Sequence, residues 1–274
     1  MTTTKKLLLG LIAVGMAAAT PTRAALVTTQ GDLLLSFYTV NGASVGPIAY
    51  TINLGQGVDF FDGSTASGII VNINTDLVAA FGASWWDNTE LKMALVGGFS
   101  STANPTAPDA ARTIYAGAKL ATYNPGTSTP AKAASTLNHN TWATNVSSFS
   151  DSQNGKAANG AVASNSAIMV TATDRSDVTN FVPPVASGTF FGIGTDPTTG
   201  FAAGNIGSSQ EAALDLWKAD KATWSAPQWG GTFSIDSPGN VSYSAVPEPS
   251  TVTMLGLAAI LGSGLLRRRS RKQS

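Results

Sequence analysis

The chain has a single histidine, His139, in the stretch Leu137-Asn138-His139-Asn140. One histidine cannot build a histidine-rich metal site, although it could serve a Ser-His-Asp arrangement. The one Gly-x-Ser-x-Gly string, Gly42-Ala43-Ser44-Val45-Gly46, stands between two strand-like runs and not at a strand-to-helix turn, so His139 reads as a solvent-exposed loop residue. Paired carboxylates could run glycoside hydrolysis. The candidate pairs are Asp59 with Asp62, Asp87 with Glu90, Asp174 with Asp177, and Asp215 with Asp220. None lies in a hydrolase motif, and these acids read as solvated loop residues. Calcium held by Asp and backbone carbonyls is the next reading, but no Asp-x-Asp-x-Asp-Gly loop is present. Six tryptophans are generous for a loop-rich chain. Core packing is their first expected role. The second is stacking on sugars, with Trp85, Trp86, Trp217, Trp224 and Trp229 as the candidates. There is no phosphate loop or dinucleotide fingerprint, and no cofactor or resident metal is expected.

These residues sit among short apolar runs separated by Gly, Asn, Ser and Pro. Residues 32–40, 48–54, 68–73 and 91–97 are rich in β-branched and aromatic types and bounded by turn formers, which predicts strands. Between the third and fourth, Asn74–Gly82 has a cap residue, an early acid, apolar residues at Leu77, Val78 and Phe81, and a terminating glycine. That pattern predicts a two-turn helix. Residues 113–123 suggest a strand or hairpin, and 188–193 a strand. Residues 125–166 are Ala/Ser/Asn-rich and predict loop with one or two polar helices. Residues 213–218 alternate, with Leu214 and Leu216 against Asp215 and Trp217. Strands at 229–235 and 240–245 follow, joined by a turn at Asp236-Ser237-Pro238-Gly239. The expected architecture is mainly β: an antiparallel β-sandwich or jelly-roll-like domain with one or two short helices.

The two ends differ from the middle. After Lys5 and Lys6 come thirteen uncharged residues, Leu7–Ala19. The run is too short for a comfortable permanent span and suits a signal peptide cleaved after Ala24. At the other end, Thr251–Leu266 reads as an apolar transmembrane helix of sixteen residues, roughly 24 Å long at 1.5 Å per residue. The basic cluster Arg267, Arg268, Arg269, Arg271 and Lys272 follows and would hold its flank in the cytoplasm. Whole-chain neutrality hides the result. Residues 25–245 carry eight Lys or Arg against fifteen Asp or Glu, a net charge of −7. Such a surface argues against nucleic acid or anionic lipid as its partner. No cysteine is present, so the 221 residues of this part must fold on an apolar core without disulfides.

In front of the apolar run stands Val246-Pro247-Glu248-Pro249-Ser250. A Pro-Glu-Pro motif, one transmembrane helix and an arginine cluster, in that order, resemble the PEP-CTERM sorting-signal family. The resemblance covers residues 246–274. It implies that exosortase, a multi-spanning membrane enzyme, recognises Pro247, Glu248 and Pro249 and cleaves near them. Two prolines keep this stretch extended, because each fixes φ and lacks an amide hydrogen. The expected organisation is a signal peptide (1–24), a β-rich extracytoplasmic domain (25–245) and a sorting signal (246–274). The expected role is a non-enzymatic cell-surface or matrix protein of a Gram-negative-type bacterium, anchored transiently and then processed. A carbohydrate-binding module acting on exopolysaccharide is the alternative, and a secreted hydrolase the second.

Overall fold

The computed structural model describes residues 25–41, 44–88, 90–99, 109–120, 124–128, 136–170, 212–220, 223 and 226–246. The leader with Ala24, the strand expected at 188–193, Asp174, Asp177, Trp224, Pro247, Glu248, Pro249, the apolar run and the basic cluster lie outside the described residues.

Nine strands are described: β1 (Asp32–Asn41), β2 (Ser44–Gln56), β3 (Gly68–Asn72), β4 (Leu91–Gly98), β5 (Ile114–Lys119), β6 (Ser166–Met169), β7 (Ala212–Ala219), β8 (Gln228–Ile235) and β9 (Asn240–Ala245). Two helices accompany them, α1 (Asn74–Phe81) and α2 (Thr136–Gln153). Every strand pairing is antiparallel, as expected. The strands hydrogen-bond into a single sheet in the order β3-β9-β8-β7-β5-β4-β1-β2-β6. That sheet curls, so β9 near one edge and β6 at the other share one core. Tyr243 of β9, Ile168 of β6, Leu35 of β1 and Leu214 of β7 belong to the same buried cluster. Curling lets one sheet bury an inner face, which a sandwich does with two.

Alternation explains the two faces. Along β1, Leu33, Leu35 and Phe37 enter the inner core, and Leu34 and Tyr38 enter a second cluster on the outer face. The run is apolar on both sides because both sides are covered. Helix α1 adds Leu77 and Ala80 to the inner core. It ends at Gly82, whose φ of 89° suits the glycine read as a terminator. Asn74 is not its cap: its Oδ1 accepts from Trp85 Nε1 at 3.0 Å.

Helix α2 covers the outer face, where Ala143, Val146 and Phe149 meet Leu34, Ala94, Val96, Ile114 and Ala116. It replaces much of the loop expected over 125–166. At eighteen residues it is not short, and its inner side mixes Ala143, Val146 and Phe149 with buried His139, Ser147, Ser150 and Gln153. Its outward Asn, Ser and Thr obscured the stripe, yet burying Val146 and Phe149 stabilises the docked helix by roughly 1.5–3 kcal/mol each. Between strands, Ser36 Oγ and Thr51 Oγ1 satisfy one another at 2.9 Å on a directly opposed pair.

Candidate functional site at the C-terminal strand

Strand β9 carries the chain out of the sheet and into residues 247 onward. It is not an edge strand: β8 pairs on one side and β3 on the other. The β8–β9 ladder runs from Ile235↔Val241 to Gly231↔Ala245. On the far side, Ala245 N–H donates to Ser67 Oγ at 2.9 Å. The turn before β9 closes through Asp236, whose Oδ1 accepts from Asn240 N at 2.7 Å.

Tyr243 fixes the strand two residues before its end. Its ring meets Phe60 edge-on at 5.0 Å and Phe233 at 5.1 Å between centroids. Its hydroxyl lies 2.5 Å from both Phe60 O and Gly230 O. One hydroxyl hydrogen serves the two carbonyls in turn, and burial pushes the Tyr243 hydroxyl up to about 12. Close approach demands glycine opposite. Gly231 has φ +138°, and a Cβ there would meet Ser244 O at 2.5 Å and the Tyr243 ring at 2.6 Å.

The acids expected in solvated loops divide in two. Asp62, Asp87 and Glu90 are exposed. Asp62 accepts from Ser64 N at 2.8 Å, and hydrogen bonds from Ser64 hold its carboxyl below the usual range. Asp215, by contrast, is buried, and alternation alone had placed it outward. It lies on the outer face of β7, but residues 126–128 close over it. Gly126 N and Ser128 N donate to it at 2.9 and 3.0 Å, and Ser128 Oγ and Thr232 Oγ1 at 2.7 and 2.6 Å. Asp220 is engaged elsewhere, accepting from Thr223 N at 2.7 Å. The two carboxyls thus serve separate sets of donors. Nor is there a group of three or more His, Asp or Glu suited to a metal among the described residues.

Asp76 and Asp32 are two further buried acids. Asp76 gathers Tyr50 Oη (2.9 Å), Val162 N (2.5 Å) and Ala163 N (3.0 Å). Burial, then the Asp76 charge, push the Tyr50 hydroxyl well above its ordinary value. Asp32 accepts from Thr29 N at 2.7 Å, Asn53 Nδ2 at 2.7 Å and Gln56 Nε2. All three buried acids fasten a loop or turn to the sheet by several donors at once. Sequence offered no signal for Asp32, and it showed Asp76 only as a first-turn helix acid.

The tryptophans also divide. Trp85 is buried in the inner core, on a short 3-10 turn, with Trp86 edge-on at 5.4 Å. Trp217 and Trp229 oppose one another across β7 and β8 and are half-buried. Their indoles are partly spoken for: Trp217 Nε1 donates to Ser128 Oγ at 2.9 Å and Trp229 Nε1 to Gly231 O at 2.8 Å. Gly126 lies against the Trp229 ring. Beside them, Lys218 Nζ pairs with Asp109 Oδ1 at 3.3 Å and sits 4.9 Å over the Phe61 ring.

His139 corrects its own expectation. It is fully buried on the first turn of α2, with Nε2 2.8 Å from Arg112 O. A loop was expected because the helix carries few apolar residues in sequence.

The family model for the PEP-CTERM protein-sorting motif matches residues 245–271. No curated protein and no solved structure matches the chain. The chain thus carries a PEP-CTERM sorting signal, a signal for export and membrane-associated sorting toward the cell surface in Gram-negative bacteria. Exosortase is the processing partner it implies. Its first matched residue, Ala245, is also the last residue of β9, so fold and signal share a residue. Among the described residues, no helix is long and apolar enough to cross a membrane.

Proposed function

We propose that residues 25–245 form a non-catalytic surface or matrix domain. A signal peptide removed after Ala24 exports it, the apolar run 251–266 anchors it transiently, and exosortase processes it near Pro247-Glu248-Pro249. One observation carries the reading: the sorting motif begins on the last residue of a strand paired on both sides. A processing enzyme can then take the signal and leave the sheet whole. The curled single sheet and the donor-saturated buried acids suit a durable exported module without disulfides. Replacing Glu248 by Ala, or both Pro247 and Pro249 by Ala, and fractionating the cells tests it. The variants are expected to stay with the membrane and the parent protein to leave it. Equal release of all forms would remove the motif from the account.

A second reading rests on Trp217 and Trp229, half-exposed and opposed on neighbouring strands. An aromatic pair so placed can offer its apolar ring faces to a sugar ring of the surrounding exopolysaccharide. Retention of the protein on a column of that polysaccharide, lost in Trp217→Ala and Trp229→Ala, would support it. Identical elution of all three would end it.

A further inference from the structure

We propose that His139 is an acid-sensitive latch that holds α2 against the outer face of the sheet. The carbonyl of Arg112 can only accept, so the hydrogen shared at 2.8 Å belongs to Nε2. Nδ1 then presents a lone pair, and it is buried without a hydrogen-bond partner. A proton arriving at Nδ1 finds no acceptor there. Its surroundings oppose the charge in three further ways. His139 is fully buried. It stands on the first turn of α2, where the free N–H groups make the positive end of the helix dipole, and that turn holds no acidic residue. Arg112 lies beside it, its own Nε buried and unpartnered. Of the charged groups facing it, Arg112 from the approach to β5 opposes protonation and Asp220 from the end of β7 favours it. Burial is the largest cause and outweighs the Arg112 carbonyl and Asp220, which favour the charged form, so the His139 pKa lies below its ordinary value.

The joint is also strained. Arg112 has φ +67°, a left-handed conformation that a non-glycine residue adopts at a cost. The His139 hydrogen bond holds the carbonyl of that residue. When His139 takes a proton, the docked helix is penalised and the free helix is not. Lifting α2 uncovers Leu34, Ala94, Val96 and Ile114.

The sign is fixed. His139 binds its proton less readily in the closed state than in the open one. The latch is therefore at full strength above about pH 6.5, the value for a solvated histidine, and weakens as pH falls below it. Weakening stops once pH passes below the depressed value of the docked state. His139 is the one histidine of the chain, so no other side chain has an ordinary pKa in that window.

Hydrogen exchange of the full-length protein between pH 7.5 and 5.0, corrected for the intrinsic exchange rate, tests this. Protection of the α2 amides is expected to fall by up to about tenfold per pH unit below 6.5, one proton's worth. In H139Q, whose amide can donate to the same carbonyl but never charges, protection should stay level. R112Q should flatten the fall by removing the opposing cation, and D220N should deepen it. A level profile for the parent protein, or an equal fall in H139Q, would overturn the latch. If H139Q fails to fold, the paired variants decide: opposite changes in R112Q and D220N support the latch, and unchanged slopes overturn it.

Discussion

Replacing Asp76 by alanine should come close to unfolding this protein. The carboxyl group accepts from the Tyr50 hydroxyl on β2 and from the amides of Val162 and Ala163 before β6, while its own residue sits on α1. Ser166 Oγ, at 3.4 Å, adds little, because its hydrogen serves Ala163 O at 2.8 Å. Three donors therefore lose their acceptor in a place where Asp76 is fully buried. Each buried donor left unmet costs about 1–3 kcal/mol. The sum, about 3–6 kcal/mol with partial relaxation, compares with a total stability of about 5–15 kcal/mol for a domain. Asp76→Asn should cost less, about 1–3 kcal/mol, because with its amide nitrogen in the place of Oδ1 the remaining oxygen still accepts from Tyr50 and Ala163, and only the Val162 N–H is left unmet. The assay is urea denaturation followed by circular dichroism, with Asp62→Ala, an exposed acid of the same type, expected to trace the parent curve. An Asp76→Ala protein within about 1 kcal/mol of the parent would show that the buried acids do not fasten the fold, and would reopen them as candidates for chemistry.

Three further predictions follow from the same structure. Tyr243→Phe keeps the ring stack with Phe60 and Phe233 but removes the hydrogen serving Phe60 O and Gly230 O, and should cost about 1–2 kcal/mol in thermal unfolding. Gly231→Ala forces a Cβ against Ser244 O and the Tyr243 ring at a φ of +138°, and should cost about 1–3 kcal/mol or more, read as a lower urea midpoint. Burial raises Tyr38, Tyr50, Tyr115 and Tyr243 above ordinary phenol values. These groups stay neutral in the folded state, so their contribution is whole below about pH 10 and is lost progressively as pH rises from there through their raised folded-state values. Ultraviolet titration should therefore show at most one of the five tyrosines ionising by about pH 11, with the others appearing together on unfolding.

What was legible in the sequence followed from period and punctuation. The strands at 32–41, 91–98, 228–235 and 240–245 are short stretches carrying aliphatic, aromatic or β-branched residues between turn formers. Asp236-Ser237-Pro238-Gly239 marked its turn because those residue types close one locally. Gly82 marked the end of α1 for the same kind of reason. Helix α2 was harder. Its buried side joins Ala143, Val146 and Phe149 to the polar His139, Ser147, Ser150 and Gln153, so tertiary burial rather than local pattern defines it. Asp215 misled because alternation reports the face of a strand, not what covers that face. The loop over it comes from residues 126–128, far away in sequence. Tyr243 carries no local sign of its two carbonyl partners, one of them 183 residues away. The sorting signal was the easiest part, since its order of motif, apolar run and basic cluster is written in consecutive residues.

The most direct test of the central claim is the C-terminus of the exported protein, read by intact-mass and C-terminal peptide mass spectrometry from cells with and without exosortase. With the enzyme present, the mature chain should keep β9 through Ala245 and lack Arg267–Ser274, and without it those residues should remain. A mature chain that retains Arg267–Ser274 in the presence of exosortase would contradict the account.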